Sequence, residues 1–182
     1  MTNDTKTALV TGANKGIGHA IAAGLGALSY RVGVGARDAS RREAAVGKLR
    51  ADGVDAFGVI RVINAMLPLL LRSPAPRIVN VSSTLGSVTR QADADADAGP
   101  IMGVYAPSKS FLNALTVQYA RHFAGTNLLI NAVCPGLVAT DFNGFQASRT
   151  PEQGAAVVLR MATLPDGGPT GTFMEDAGAL PW

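Results

Sequence analysis

The chain has a single cysteine, a single tryptophan and few charges for its length: of 182 residues, 16% are charged and 5% aromatic. One cysteine, Cys134, excludes an internal disulfide and a cysteine-rich zinc site. Set between Val133 and Pro135, it reads as a small buried apolar residue. No apolar run approaches the ~20 residues of a membrane-spanning helix. The longest, Ala65 to Leu71, is short and interrupted by Pro68. Met1 to Lys6 carries neither an apolar signal core nor a cleavage site of small residues, so a soluble cytoplasmic protein is expected. Basic stripes with interleaved aromatics are also missing, which argues against a nucleic-acid partner. The net charge of +3 suits an anionic ligand and plain solubility equally. Asp93, Asp95 and Asp97 alternate with alanines but lack the glycine and closing glutamate of a calcium loop. They read as a solvated acidic loop, and no metal site is expected.

What is present is an apolar, globular composition, 47% hydrophobic, that fits one domain over residues 1–182. Thr7 to Val10 is a buried-type strand, and Gly16 to Leu28 places Ile17, Ala20, Ile21 and Leu25 at helical spacing. Tyr30 to Gly35 reads as a second strand and Ala39 to Ala51 as an exposed helix. Val59 to Leu71 reads as a helix with one broad apolar face, and Arg77 to Val81 as a strand buried on both faces. Ser82 to Met102 reads as a loop, Tyr105 to Phe123 as an apolar helix and Leu128 to Val133 as a strand. Thr150-Pro151-Glu152 carries the start signals of a further helix, Gly171 to Met174 is a last strand, and Leu180-Pro181-Trp182 a surface tail. Strands alternating with helices favour a parallel sheet covered by helices on its faces, an α/β fold.

Two motifs carry chemistry. Thr11-Gly12-Ala13-Asn14-Lys15-Gly16-Ile17-Gly18 follows a strand and opens a helix. In that context glycines make a tight turn and let backbone approach a dinucleotide pyrophosphate at the positive end of the helix. Gly12, Asn14, Lys15, Gly16, Ile17 and Gly18 are therefore candidate cofactor contacts; the bland alternative is a turn that only packs strand on helix. About twenty residues on, the second strand ends Gly35-Ala36-Arg37-Asp38. Asp38 is placed for a ribose hydroxyl, but Arg37 and Lys15 together favour a 2′-phosphate, and hence NADP(H) over NAD(H). The second motif is Tyr105-Ala106-Pro107-Ser108-Lys109, whose Tyr105 and Lys109 share one helix face. A free tyrosine ionises near ~10. An ammonium close by favours the phenolate and suits the pair to general acid–base work near neutrality. Ser83, just past the strand Arg77 to Val81, is placed to hydrogen-bond a carbonyl oxygen.

These stretches, with Gly35–Asp38, Arg77–Ser83 and Asn131–Asp141, resemble the short-chain dehydrogenase/reductase family in its NADP-preferring, carbonyl-reductase-like form. The resemblance implies a three-layer doubly wound (Rossmann) sheet, with Tyr105 as catalytic acid/base. It implies Lys109 as modulator of that tyrosine and ribose anchor, Tyr105 together with Lys109 as cofactor contacts, and Ser83 as the carbonyl-orienting hydroxyl. It further implies that Pro135, Gly136, Val138 and Thr140 wrap the nicotinamide half of the cofactor.

The chain departs from that family between residues 53 and 59. Gly53 to Ala56 resembles the start of the family's third strand, and Phe57 to Leu71 the helix that carries a catalytic asparagine. The strand–helix–strand unit between them, including the central fourth strand, is missing, as if deleted after about residue 56. By register the asparagine position falls on Asp55, and Asn64 lies too far along to replace it. Sheet edges left bare by this loss require closure of the sheet, cover from another subunit as in a homodimer, or a segment absent from the sequence. The expected function is NADPH-dependent reduction of a ketone or aldehyde, reversible, on a small carbonyl or alcohol. A lid over Asp141 to Arg149, with Phe142 and Phe145, fits an apolar substrate. The alternatives are a catalytically inactive dinucleotide-binding protein and a truncated, poorly folded family member.

Overall fold

The structure, a computed structural model, describes residues 6–35, 55–93 and 103–182, the first three residues of the middle stretch as backbone alone. The expected helix Ala39 to Ala51, the residues Arg37 and Asp38, and most of the acidic repeat lie outside the described residues. Strand β1 (Thr7–Thr11) leads into helix α1 (Gly16–Ala27), then β2 (Arg31–Gly35). Helix α2 (Asp55–Leu70) is followed by β3 (Arg77–Val81) and a one-turn helix α3 (Val88–Gln91). Helix α4 (Tyr105–His122), β4 (Leu129–Val133) and helix α5 (Pro151–Ala162) come next, and a small hairpin of β5 (Phe173–Glu175) and β6 (Gly178–Ala179) closes the chain.

The fold is α/β in three layers. β1 and β2 pair in parallel, Thr7 opposite Arg31 through Thr11 opposite Gly35. β3, β4 and β5 form a second parallel run, to which β6 adds antiparallel. On one face lie α1 and α5, with Ile21, Leu25, Val157, Val158 and Met161 packed beside Val10 of β1 and Val133 of β4. On the other face α2 and α4 cover Ile78 and Ile130 through Ile63, Leu67, Ala120 and Phe123. One core thus joins two ladders that share no hydrogen bond: among the described residues no backbone bond links β1 to β3. The sheet does not close across the lost fourth strand, as direct pairing of β1 with β3 would have required.

Three local expectations change. Asp55 and Ala56 open helix α2 instead of ending a strand, because the apolar stripe that begins at Val59 extends the helix toward its N-terminus. Ser82 to Met102 is not wholly loop: Thr84–Gly86 forms a 3₁₀ turn, and α3 follows, each started by a serine (Ser83, Ser87) whose oxygen accepts a backbone N–H. The last residues are not a surface tail. Trp182 stacks on Phe173 with ring centroids 5.6 Å apart, Leu180 is buried, and the Trp182 carbonyl accepts from Thr89. Stacking on the buried Phe173 ring outweighs a loose end.

Helix α5 starts as its sequence requires. Thr150 accepts from the Gln153 amide at 3.3 Å while the Gln153 side chain accepts from the Thr150 amide at 2.8 Å. The Glu152 carboxyl is held below its ordinary carboxylate range by hydrogen bonding to its own backbone amide and then to Thr150. Thr150→Ala should lower unfolding free energy by about 1 kcal/mol, read as a lower denaturant midpoint at unchanged slope.

Candidate functional site

The site is built at the C-terminal ends of β1, β3 and β4. After β1 the chain turns at Gly12 (φ +65°) and Gly16 (φ +56°), conformations that glycine alone adopts cheaply. At Gly18 the demand is closeness: a Cβ there would lie 2.3 Å from the Gly12 carbonyl oxygen. The Ala13 amide donates to Gly35 at 3.2 Å, tying the loop to the end of β2. Asn14 and Lys15 are exposed, Ile17 packs into the core beside α5, and the first turn of α1 holds no acid. Amides at the start of a helix with no acidic cap, beside a lysine, make an anion-receiving cradle. The observed loop therefore fits a pyrophosphate.

Beyond β4, Pro135, Gly136, Val138 and Thr140 run back toward that loop. Thr140 meets Gly16 directly, its Cγ2 lying 3.3 Å from where a Gly16 Cβ would stand. Gly136 (φ +75°) lies under the Arg149 side chain, whose guanidinium holds Asp176 and the Gln153 carbonyl. Val138 packs over Gly154 and bridges to Arg149, so both ends of the 141–149 segment are pinned. That segment opens with a 3₁₀ turn, Asp141–Asn143, held by the Asn143 side chain, which accepts from the Thr140 amide and donates to the Val138 carbonyl. Asp141 pairs with Lys15, so the lysine expected to meet phosphate has a carboxylate against it here.

The proton-transfer candidates sit on α4 beside β3. Lys109 Nζ donates to the Val81 carbonyl at 3.1 Å and stands 5.7 Å from the centre of the Tyr105 ring. Phe142 meets the ring in a tilted contact, centroids 6.0 Å apart, and with Phe145 remains largely exposed. Ser83 caps the 3₁₀ turn, accepting from the Leu85 amide at 3.2 Å, which leaves its O–H to donate. That turn is pressed onto α4, since a Cβ on Gly86 would lie 2.8 Å from Lys109 backbone.

Several residues that hold this geometry were not foreseen. Ser82 donates to Asn113 at 2.6 Å, Asn113 donates to the Gly86 carbonyl at 3.0 Å, and Asn80 donates to Thr116 at 2.9 Å. All four side chains are buried. Asn113 and Thr116 lie on the Lys109 side of α4, at spacings of four and seven residues, and that periodicity is the one signal a sequence reading offers for them. Asn64 of α2 accepts from the Tyr119 hydroxyl of α4. The Asp55 side chain and Arg37 lie outside what is described.

Comparison with known proteins adds the ancestry of this arrangement. The family model for short chain dehydrogenase matches residues 6–59 and again 53–151. The chain belongs to the short-chain dehydrogenase family. The two matches overlap at residues 53–59, where the sequence fits both sides of the lost unit. Short-chain dehydrogenase/reductase 1 of Saponaria officinalis is 36% identical over 151 residues, 64% of this chain and 49% of that protein. The NADPH carbonyl reductase 1 of Sus scrofa is 27% identical over an alignment of 277 positions that takes in 100% of this chain and 96% of the relative. Among solved structures, NADPH-bound carbonyl reductase from chicken fatty liver shares the fold with a TM-score of 0.71 at 21% identity, covering 98% of this chain and 99% of that one. The chain spans about half the length of the first curated relatives it matches. No helix among the described residues is long and apolar enough to cross a membrane.

Gly86→Ala tests how the 3₁₀ turn seats on α4. The added methyl must displace helix backbone, and the expected loss is about 1–3 kcal/mol, read as a lower unfolding midpoint.

Proposed function

We propose that this chain binds NADP(H) and interconverts a ketone or aldehyde with its alcohol, with Tyr105, Lys109 and Ser83 as the catalytic group. One observation carries the reading: Lys109 Nζ and the Tyr105 ring share a face of α4, 5.7 Å apart, at the end of the strand that leads to Ser83. Tyr105 protonates the carbonyl oxygen during reduction, and in the reverse direction its phenolate accepts the alcohol proton. The Lys109 charge favours that phenolate. The Ser83 O–H donates to the same oxygen and stabilises the negative charge that grows there. NADPH, when bound, supplies the hydride to the carbonyl carbon.

Gly12, Asn14, Lys15, Gly16, Ile17 and Gly18 would hold the pyrophosphate, and Pro135, Gly136, Val138 and Thr140 the nicotinamide half. Arg37 with Lys15 would select the 2′-phosphate. The NADPH in the name of the pig relative and in the chicken structure supports this choice of cofactor. Phe142 beside Tyr105 gives the reacting face an apolar wall, in keeping with an apolar substrate. A second reading rests on the split sheet: the protein keeps the dinucleotide and has lost turnover.

Thermal unfolding with and without cofactor separates these readings. Saturation at a hundred times the dissociation constant adds ~2.7 kcal/mol. We expect NADPH to raise the midpoint and NADH not to; a shift without turnover on a panel of carbonyls favours the second reading. Tyr105→Phe should lower kcat by about 10²–10⁴-fold while leaving the NADPH shift intact. Because Asp141 competes with phosphate for Lys15, Asp141→Asn should tighten NADPH by roughly twofold to fivefold, the range of an exposed ion pair. Titration by fluorescence checks it.

A further inference from the structure

The end of β3 is tied to α4 through a buried amide. Ser82 Oγ donates to Asn113 Oδ1 at 2.6 Å, and Asn113 Nδ2 donates to the Gly86 carbonyl at 3.0 Å. A carbonyl oxygen can only accept, so the amide nitrogen must face Gly86 and the amide oxygen Ser82. Asn113 is 3% exposed and Ser82 4%, so neither bond is cheaply exchanged for one to water. These two partners stand on either side of Ser83. Upstream, the Ser82 amide donates to Val133 of β4 at 2.7 Å, which fixes that end to the sheet. Downstream, the Gly86 amide closes the turn on the Ser83 carbonyl at 2.8 Å, and Ser83 Oγ accepts from the Leu85 amide at 3.2 Å. One side chain thus clamps the segment from Ser82 to Gly86 at both ends, with Ser83 between them.

We propose that Asn113 is a positioning residue for the reaction proposed above, on which this inference rests: it fixes the Ser83 hydroxyl relative to Tyr105 and Lys109 and acts on turnover through Ser83. Tyr105, Lys109 and Asn113 follow one another at steps of four along α4, so one stripe of one helix carries the acid, its lysine and the clamp. The close seat of Gly86 on Lys109 sets how near the turn lies to the helix. Packing contact is not directional, whereas hydrogen bonds are, so the two bonds of Asn113 set how the turn is oriented.

Orientation is what the proposed role of Ser83 demands. A hydroxyl stabilises a growing oxyanion only when its O–H is aimed at that oxygen at hydrogen-bond distance. Ser83 comes from the end of a strand and Tyr105 from the first turn of a helix, so their relative position depends on what joins the two elements. A second buried bond joins the same elements one turn further along, where Asn80 donates to Thr116 at 2.9 Å. That bond does not flank Ser83, and it supplies the comparison for a test.

Two measurements on Asn113→Leu decide it, with Thr116→Val as the control. Hydrogen exchange at the Leu85 and Gly86 amides is expected to quicken about tenfold or more in Asn113→Leu and to stay unchanged in Thr116→Val. With the carbonyl that the full chain reduces fastest, Asn113→Leu is expected to lower kcat about 10–100-fold. In a Ser83→Ala background it should add nothing, because a residue acting through Ser83 has no effect once that hydroxyl is gone. Ser82→Ala removes one bond of the clamp, gives the same pattern more weakly, and takes the place of Asn113→Leu if that variant does not fold. Unchanged exchange at Leu85 and Gly86, equal quickening in the control, or kcat losses that multiply with Ser83→Ala each overturn the inference. A parent chain without turnover counts against the proposed reaction instead, and the exchange measurement then decides the clamp on its own.

Discussion

The contact on which this fold depends is the close crossing of α1 over α5 at Gly24. A Cβ there would lie 2.6 Å from Leu159 Cδ1, so glycine sets how near the two helices come. Through that crossing the β1–β2 ladder is attached to the rest of the sheet, because no backbone hydrogen bond does so among the described residues. Side-chain packing from α1 and α5 takes over a task that a central strand performs in an unbroken sheet. Packing alone is less directional than a ladder, and the outer face of β1–β2 shows what it leaves undone. Leu9 stays exposed there, with no described helix over it.

The same crossing positions the phosphate loop. Gly12, Gly16 and Gly18 fold the end of β1 into the start of α1, so wherever α1 sits on α5, the loop follows. Thr140 against Gly16 and Asp141 on Lys15 then bind the loop to the segment after β4. The two halves of the candidate cofactor site thus come from two different ladders, joined by a helix crossing on one face and by these contacts at the rim.

Elements with a local cause were legible in the sequence. Thr150-Pro151-Glu152 announces α5, the run Leu128 to Val133 announces a strand, and the spacing of Tyr105 and Lys109 puts them on one face; of the two inner strands, though, it is Leu129–Val133 that is buried throughout, while Arg77–Val81, expected to be, is buried only at Asn80. What escaped depends on distant parts of the chain. The Asp141 partner of Lys15 was not legible, because nothing near the lysine in sequence points to a residue 126 positions away. Trp182 looked like a loose end because Phe173 is its partner only after the β5–β6 hairpin forms. Gly86 carries no motif, and its need for glycine arises where the 3₁₀ turn meets the backbone of α4. The lost fourth strand was legible as a gap in order, but whether the edges would close on each other was a question of packing.

That question has a physical answer in the residues already placed. To pair, β1 and β3 would have to come within one strand spacing of each other, about 4.8 Å, carrying α1 toward α5. Gly24 already lies against Leu159, and Gly16 against Thr140, so neither the helices nor the loop tips leave room for that movement. Tight packing above the sheet therefore keeps the gap open beneath it. Among the described residues no backbone partner joins the two edges, and Lys109 donates to the Val81 carbonyl at one of them. The lysine that donates to the end of β3 is also the side chain proposed to tune Tyr105, so the proposed chemistry of the site is tied to the end of that strand.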